Sequence, residues 1–476
     1  MNWIKHYIGG EFIESPKTLK NINPATKQLL GEIHQAGETE VNMAIEAAEQ
    51  AFPFWSQLSF EQRSSYLNKM AHEIEKRLDD FAAAETKDTG KPISTSFSVD
   101  IPRSIKNLRF YANSLNYHKE AFYNSPDQAY NLTLSEPLGI VACISPWNLP
   151  LYLFTWKIAP ALITGNTVIA KPSEMTPITA FMLSEICQKI NLPPGVLNIL
   201  HGKGDQIGKY LNTHPQIRAI SFTGSTRVGK QIAKEASSNL TKVALEMGGK
   251  NATVIFNDCD IERACKEAVR AAFSNQGQIC LCGSRILIQD EIYDKAIKII
   301  VKETKKLKPG NPLEEKTNFG SLVSEAHFEK ILDFLNYAKE KKYKILTGGE
   351  EIQVENCDGY FIPPTLIEDV PMECKLNQEE IFGPVATISS FTDDEDALNS
   401  INNSSYGLSC SLWSNNHQRN LKLAEAIETG MIWFNTWMHR DLRTTFGGLK
   451  NSGFNKEGLE DSFKFFTRTK NICFKY

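Results

Sequence analysis

Five short apolar runs decide the fold: Ile140-Val-Ala-Cys-Ile-Ser145, Thr167-Val-Ile-Ala170, Val196-Leu-Asn-Ile-Leu200, Ala219-Ile-Ser-Phe222 and Val243-Ala-Leu-Glu246. Between them, residues 157–165, 177–190, 205–212 and 226–238 carry apolar side chains at helical spacing. Repeated alternation of strand and helix predicts a parallel sheet with helices on both faces, a doubly wound α/β unit. Past Gly249 the alternation resumes, with 284–288 as a strand and 291–307 as an amphipathic helix. A second α/β unit is therefore expected from about 250 to 445.

Outward from these units the pattern changes. Gly9-Gly10 separates two short runs, His6-Tyr-Ile and Glu11-Phe-Ile, which predicts a hairpin at a sheet edge because both glycines accept positive φ. From Val41 to Thr86 the spacing is helical, with Leu67, Met70, Ile74, Leu78 and Phe81 on one face, and Gly90-Lys-Pro92 stops the run. Residues 121–135 are polar and aromatic, and 463–476 alternate Phe with Lys, Arg and Thr. Both read as exposed strands waiting for a partner. No internal repeat is visible.

Composition narrows the function. At ~150 residues per domain, 476 residues allow about three domains, enough for a core and a cleft. Hydrophobic residues at 41% and charged residues at 23% describe an ordinary globular chain, not a disordered or fibrous one. With 52 Lys+Arg against 56 Asp+Glu the net charge is −4, which gives no field for a polyanion, so no nucleic-acid partner is expected. Ten cysteines are too few for a disulfide scaffold and nothing resembling a signal peptide precedes Tyr7, so the expected compartment is the cytoplasm. The most apolar stretch, 140–163, is interrupted by Pro146, Asn148, Pro150, Lys157 and Pro160, so no membrane span is expected. The histidines show no metal-binding helix pair and Cys280-Leu-Cys282 has the wrong spacing for zinc, so no metal is expected.

Several segments carry chemistry. Gly202-Lys-Gly204-Asp-Gln-Ile-Gly208 approximates a dinucleotide fingerprint with one residue too many; an ordinary βα turn accounts for it equally well. Strand 219–222 runs into Thr223-Gly-Ser-Thr226 and a helix, whose free N–H groups suit a pyrophosphate or merely a Ser/Thr cap. Asn275-Gln-Gly-Gln-Ile-Cys280 presents a thiol after an irregular stretch, although any one cysteine is more often a packed hydrophobe. Glu246 ends an apolar strand at the carboxyl edge of the sheet, where a shielded carboxyl becomes a general base, or else a salt-bridge partner.

Taken in order, Pro146-Trp-Asn148, Lys171-Pro-Ser-Glu174, Phe222-Thr-Gly-Ser-Thr226, Leu245-Glu-Met-Gly-Gly-Lys250, Gln276-Gly-Gln-Ile-Cys280, Glu380-Ile-Phe-Gly-Pro384 and Phe446-Gly-Gly-Leu-Lys-Asn-Ser-Gly453 resemble the NAD(P)-dependent aldehyde dehydrogenase superfamily. The resemblance runs from Asn23-Pro-Ala-Thr26 to the C-terminal region. It implies a variant Rossmann cofactor domain (1–120 and 141–248), a catalytic domain (249–445) and a small β oligomerisation arm with the C-terminal segment (121–140 and 446–476). A homodimer or homotetramer would follow. The resemblance makes Cys280 the nucleophile, Asn148 with the Cys280 N–H the oxyanion donors, and Glu246 the base for thioester hydrolysis. Lys157 and Glu457 would relay its proton or form a buried ion pair. Lys171 and Glu174 would hold the adenosine ribose, favouring NAD, with Gly224 and Ser225 at the pyrophosphate and Glu380 and Phe382 at the nicotinamide ribose. Ile144, Ser145, Trp147, Ser173, Gly204, Phe222 and Gly248 complete the expected cofactor set.

For the substrate, Asn435-Thr-Trp-Met-His-Arg440-Asp-Leu-Arg443 and Ile101-Pro-Arg103 look like the branch oxidising 2-hydroxymuconate or 2-aminomuconate semialdehyde. An Arg443–Arg103 fork would anchor the carboxylate, with Arg109 and Arg440 as alternatives and structural salt bridges as the plainer reading. Broad aliphatic, betaine-aldehyde, succinic-semialdehyde and CoA-acylating enzymes, and a non-catalytic protein on the same scaffold, are the competing expectations. Cys282, two residues from the nucleophile, is a candidate for reversible oxidation.

Overall fold

The computed structural model describes residues 2–114 and 121–476. Residues 115–120, which close the first span assigned to the cofactor domain, lie outside the described residues.

The five diagnostic runs form neighbouring strands of one sheet. In spatial order it holds Gly453–Phe454, Lys242–Glu246, Ile217–Thr223, Ile140–Ile144, Thr167–Lys171, Leu197–Ile199, His6–Ile8 and Glu11–Ile13. The central pairs are parallel, and Ile140–Ile144 and Thr167–Lys171 are buried on both faces but for the half-buried Ile144, as expected where helices cover a sheet twice. Helices Pro150–Ile163, Ile178–Lys189, Gly204–Thr213 and Thr226–Ala236 are the predicted crossovers. The Gly9-Gly10 hairpin closes one edge, with φ of 60° and 90° at its glycines.

The helical run over 41–86 resolves into Glu38–Gln57, Phe60–Lys76 and Leu78–Thr89. Ser59 restarts the chain with a capping box to Gln62, and Gly90, at φ 77°, ends it.

The second sheet runs Lys344–Thr347, Thr365–Glu368, Val385–Phe391, Arg285–Gln289, Ala252–Ile255, Ser409–Trp413 and Met431–Phe434, parallel except at its first edge. The predicted strand and amphipathic helix appear as Arg285–Gln289 and Tyr293–Thr304.

One reading of the tail is corrected. Ala121–Ser125, Ala129–Pro137 and Thr467–Lys475 pair with one another in a three-stranded sheet, in which the outer strands Ala121–Ser125 and Thr467–Lys475 each pair on one side among the described residues. Residues 463–466 are not strand: Leu459–Phe466 is a helix, because Leu459, Phe463 and Phe466 recur at helical spacing and enter the core of the first sheet. With Gly453–Phe454 pairing against Lys242–Glu246, residues 453–466 pack on the cofactor half, and only 467–475 join the arm. Among the described residues no helix is long and apolar enough to cross a membrane, and no cluster of His, Cys, Asp or Glu could hold a metal.

Candidate active site

Cys280 follows the helix Ile261–Phe273 and a tight turn in which Asn275, Gln276 and Gly277 take φ of 51°, 56° and 72°. Three successive left-handed residues cost conformational energy that the surroundings must offset. The offset is visible: a Cβ on Gly277 would lie 2.1 Å from the Gly383 carbonyl, so the nucleophile turn is seated directly on the Glu380–Pro384 loop. Downstream, Asn251 Nδ2 donates to the carbonyls of Cys280 (2.7 Å) and Cys282 (3.0 Å), and Trp437 Nε1 to that of Leu281 (3.0 Å). The Cys280 N–H donates to no described residue. Burial, then the charges of Glu380 and Glu246, push its thiol up, while Arg440 acts in the opposite direction.

Asn148 is buried just ahead of the helix Pro150–Ile163, and its Nδ2 donates to the carbonyl of Gln278 at 2.8 Å, which brings it to the nucleophile turn. Glu246 is buried with one carboxylate oxygen unpartnered among the described residues. Its pKa is raised well above the ordinary value, first by burial and then by Glu457, with Lys157, Lys456 and Arg440 opposing. Behind it Lys157 Nζ sits 2.7 Å from Glu457 Oε1 and 3.1 Å from Ser221 Oγ, and Trp156 Nε1 holds the other Glu457 oxygen at 2.7 Å.

The cofactor residues separate into two groups. Ile144, Ser145, Trp147, Lys171, Ser173, Glu174, Gly204, Phe222, Gly224 and Ser225 line one cavity of about 490 Å³ at the carboxyl edge of the first sheet. Ser225 caps Thr226–Ala236 by accepting from Val228 N–H, so a helix N-terminus opens into this groove. Gly204 starts the next helix beside Lys171 and Glu174, whose 3.1 Å ion pair spans the groove's side. Burial works against the Glu174 carboxylate, yet Lys171 and two backbone N–H groups hold it below the usual range. The second group lies by Cys280. Glu380 Oε1 accepts from Gly249 N–H at 3.0 Å, and a Cβ on Gly248 would fall 2.0 Å from Glu380 Oε2, so only glycine admits that carboxylate. Burial raises the Glu380 pKa to about 7. Trp147 bridges the groups, its ring 5.3 Å from that of Phe382.

Sequence reasoning missed the support of this second group. Phe382 is left-handed at φ 61°, and His327 Nε2 donates to its carbonyl at 2.7 Å. Lys330 Nζ donates to the Glu380 (3.1 Å) and Ile381 (3.0 Å) carbonyls. Both lie three residues apart on Glu325–Glu340, whose sequence reads as a plain amphipathic helix.

A further cavity of about 470 Å³ is lined by Leu149, Tyr152, Asn275, Ile279, Trp437 and Met438 among others, Leu149 and Ile279 being the chain neighbours of Asn148 and Cys280, and its cations are Lys266, Arg270 and Lys306. The candidate arginines lie outside its lining residues. Arg443 is exposed and clasps Asp441 at 2.5 Å. Arg109 grips Glu75 on the surface. Arg440 is turned inward, 3.8 Å from the Phe446 ring centre and 5.4 Å from that of Trp156, and its charge reaches Cys280 and Glu246. It also reaches Arg103, whose guanidinium is lowered first by burial and whose Nη2 is buried without a hydrogen-bond partner among the described residues. The charge of Arg440 is thus felt at Arg103, after burial and Tyr152, whereas Arg443 lies on the exposed face. Cys282 Sγ is directed to the Ser274 carbonyl at 3.8 Å.

The chain is similar to known proteins over nearly its whole length. The profile of the Aldehyde dehydrogenase family matches residues 12–472. The 2-aminomuconic semialdehyde dehydrogenase of Mus musculus is 41% identical, over 99% of this chain and 98% of its own length. The 2-hydroxymuconic semialdehyde dehydrogenase of Pseudomonas sp. strain CF600 is 40% identical over 100% of both. Among solved structures, the indole-3-acetaldehyde dehydrogenase AldA of P. syringae, in complex with NAD+ and IAA, superposes with a TM-score of 0.97 at 33% identity, covering 99% of this chain and 97% of that one.

Proposed function

The chain belongs to the aldehyde dehydrogenase family, and on that premise we propose that it oxidises a carboxylate-bearing semialdehyde to the corresponding acid with NAD+, through an acyl group carried by Cys280. The groove fits the cofactor. The helix N-terminus at Gly224 and Ser225 would receive the pyrophosphate, the Glu174 carboxylate would accept from the adenosine ribose hydroxyls, and Glu380 would do the same at the nicotinamide ribose. A carboxylate at Glu174 repels a 2′-phosphate, which favours NAD over NADP.

The Cys280 thiol gives up its proton to solvent water and the sulfur attacks the aldehyde carbon. The oxyanion that forms lies between the second N–H of Asn148 Nδ2 and the Cys280 N–H, two neutral donors fixed before the charge appears. Bound NAD+ supplies the hydride acceptor, so that the thiohemiacetal becomes a thioester. Glu246 then takes a proton from the water that attacks the thioester, releasing the acid and the Cys280 thiolate; a raised pKa suits that task. Lys157 and Glu457 lie on its far side and pass the proton outward.

One observation carries the substrate class. Arg440 lies close enough for its charge to act on both Cys280 and Arg103, Arg103 holds a buried N–H group without a partner among the described residues, and Arg440 makes no ion pair among them. Two such guanidinium groups are balanced by a carboxylate on the substrate, at the end opposite the aldehyde. This assigns to Arg440 the anchoring role expected of Arg443. The relatives named for 2-aminomuconic and 2-hydroxymuconic semialdehydes support the same class. A trimethylammonium aldehyde would meet like charge there. The test is NADH formation across aldehydes of matched length with and without a distal carboxylate: preference for the carboxylated member is expected, and equal turnover overturns the assignment.

The three-stranded sheet, with Phe122, Tyr123, Phe474 and Tyr476 exposed, supports self-association as a dimer or tetramer. Ten unpaired cysteines support a cytoplasmic location.

A further inference from the structure

Gly90-Lys-Pro92 reads in the sequence as a helix stop, but the lysine inside it has no solvent to face. Lys91 is fully buried, and its ammonium is directed at three oxygens: Asp100 Oδ2 at 2.5 Å, the Asn148 carbonyl at 2.9 Å and Glu85 Oε1 at 3.5 Å. The ammonium thus makes two hydrogen bonds, to Asp100 and to the Asn148 carbonyl, and an ion pair with Glu85. Glu85 Oε2 in turn accepts from the Leu151 N–H at 3.3 Å, in the first turn of Pro150–Ile163. Asp100 is delivered by a π-helical turn, Ser96–Asp100, set into the chain just before Ile101–Ala112. Such turns are inserted where one side chain has to be re-aimed.

We infer that Lys91 is a positioning residue for the oxyanion site: with Glu85 and Asp100 it clamps the chain from Asn148 to Leu151, so that the Asn148 side-chain amide is held against the nucleophile turn. The inference rests on the reading of Asn148 as the oxyanion donor. The clamp is closed on its other side by Asn275, whose Nδ2 donates to the Asn148 carbonyl (3.1 Å) and to the Gln278 carbonyl (3.3 Å), the latter also accepting from Asn148 Nδ2. The donor and the strained turn bearing Cys280 therefore share the Gln278 carbonyl, and Lys91 joins Asn275 at the Asn148 carbonyl, tying it to Asp100 and Glu85 as Asn275 ties it to the turn. An ammonium buried with two carboxylates is a costly way to hold a chain, and hydrophobic packing could stabilise the site as well. What packing does not supply is direction at the Asn148 carbonyl.

The experiment is a double-mutant cycle on the full-length protein, using Lys91→Met, Asn148→Ala and their combination, with kcat, the KM for NAD+ and thermal stability measured for each. Because Lys91→Met strands two carboxylates, Lys91→Met/Asp100→Asn is included as the variant that keeps the fold. Lys91→Met/Asp100→Asn should lower kcat about 100-fold, the order expected when a reacting group is misplaced by an ångström, with the KM for NAD+ within about twofold. In the Asn148→Ala background Lys91→Met should cost no more than about threefold, since residues acting as one unit are not additive. A full repetition of the loss in that background means that Lys91 acts on stability at large, and overturns the inference. An unchanged kcat in Lys91→Met/Asp100→Asn also overturns it. An unchanged kcat in Asn148→Ala alone overturns the oxyanion reading, and the inference with it.

Discussion

The proposed cofactor groove and the proposed carboxylate anchor are built in different ways. Along the groove, recognition is written in backbone: strand ends, a helix N-terminus at Ser225, and Gly248 admitting the Glu380 carboxylate. At the other end it is written in the direction of long side chains, where Arg440 turns inward over Phe446 and Arg443, three residues on, turns outward to Asp441. Backbone recognition survives substitution of most neighbouring side chains. Recognition by two cations depends on each one.

The largest effect separates chemistry from both regions. Cys280→Ala should lower NADH formation by at least about 10,000-fold, as removal of a covalent nucleophile does, while NAD+ binding measured by fluorescence stays intact. Loss of both together would mean that the groove is not independent of the nucleophile turn. Glu246→Gln should follow with a loss of about 1,000-fold in steady-state turnover, the range of general-base catalysis. Because burial raises the Glu246 pKa and the base works deprotonated, the acid limb of kcat in the unmodified protein should lie above the ordinary carboxylate value of 4.5. The limb should vanish in Glu246→Gln.

Arg440→Ala probes the other side of the comparison. It should reduce kcat/KM for a carboxylated semialdehyde about 100-fold, two charge-assisted hydrogen bonds at ~1.5 kcal/mol each, and spare an uncharged aldehyde. Arg443→Ala should change either by less than about threefold, as expected for an exposed ion pair. The reverse order would restore Arg443 as the anchor. The smallest effect belongs to the groove. Glu380 accepts ribose hydroxyls as a carboxylate, so with its pKa near about 7 the KM for NAD+ should rise several-fold as pH falls through that value. Glu380→Gln should flatten the dependence.

The same contrast explains what the sequence disclosed. The parallel strands, their crossover helices and the groove residues follow from alternation and from ordered short motifs, because each fixes a local backbone shape. Asn148, Glu246 and Cys280 sit at ends of elements, where a motif also fixes direction. His327 and Lys330 carried no signal, since a helix face gives no hint that it will cover Phe382 and Glu380. Arg440 and Arg443 share an irregular segment with no periodicity to tell inward from outward. The tail was misread at 463–466 because alternating Phe and Lys fits a strand, whereas Leu459, Phe463 and Phe466 bury one helix face.

The central claim is a covalent acyl intermediate on Cys280 that Glu246 clears. Glu246→Gln protein mixed with NAD+ and a semialdehyde, quenched in acid and digested, should yield a Cys280 peptide heavier by the aldehyde's mass less two hydrogens. No adduct despite NADH release, or an adduct on another cysteine, would contradict the account.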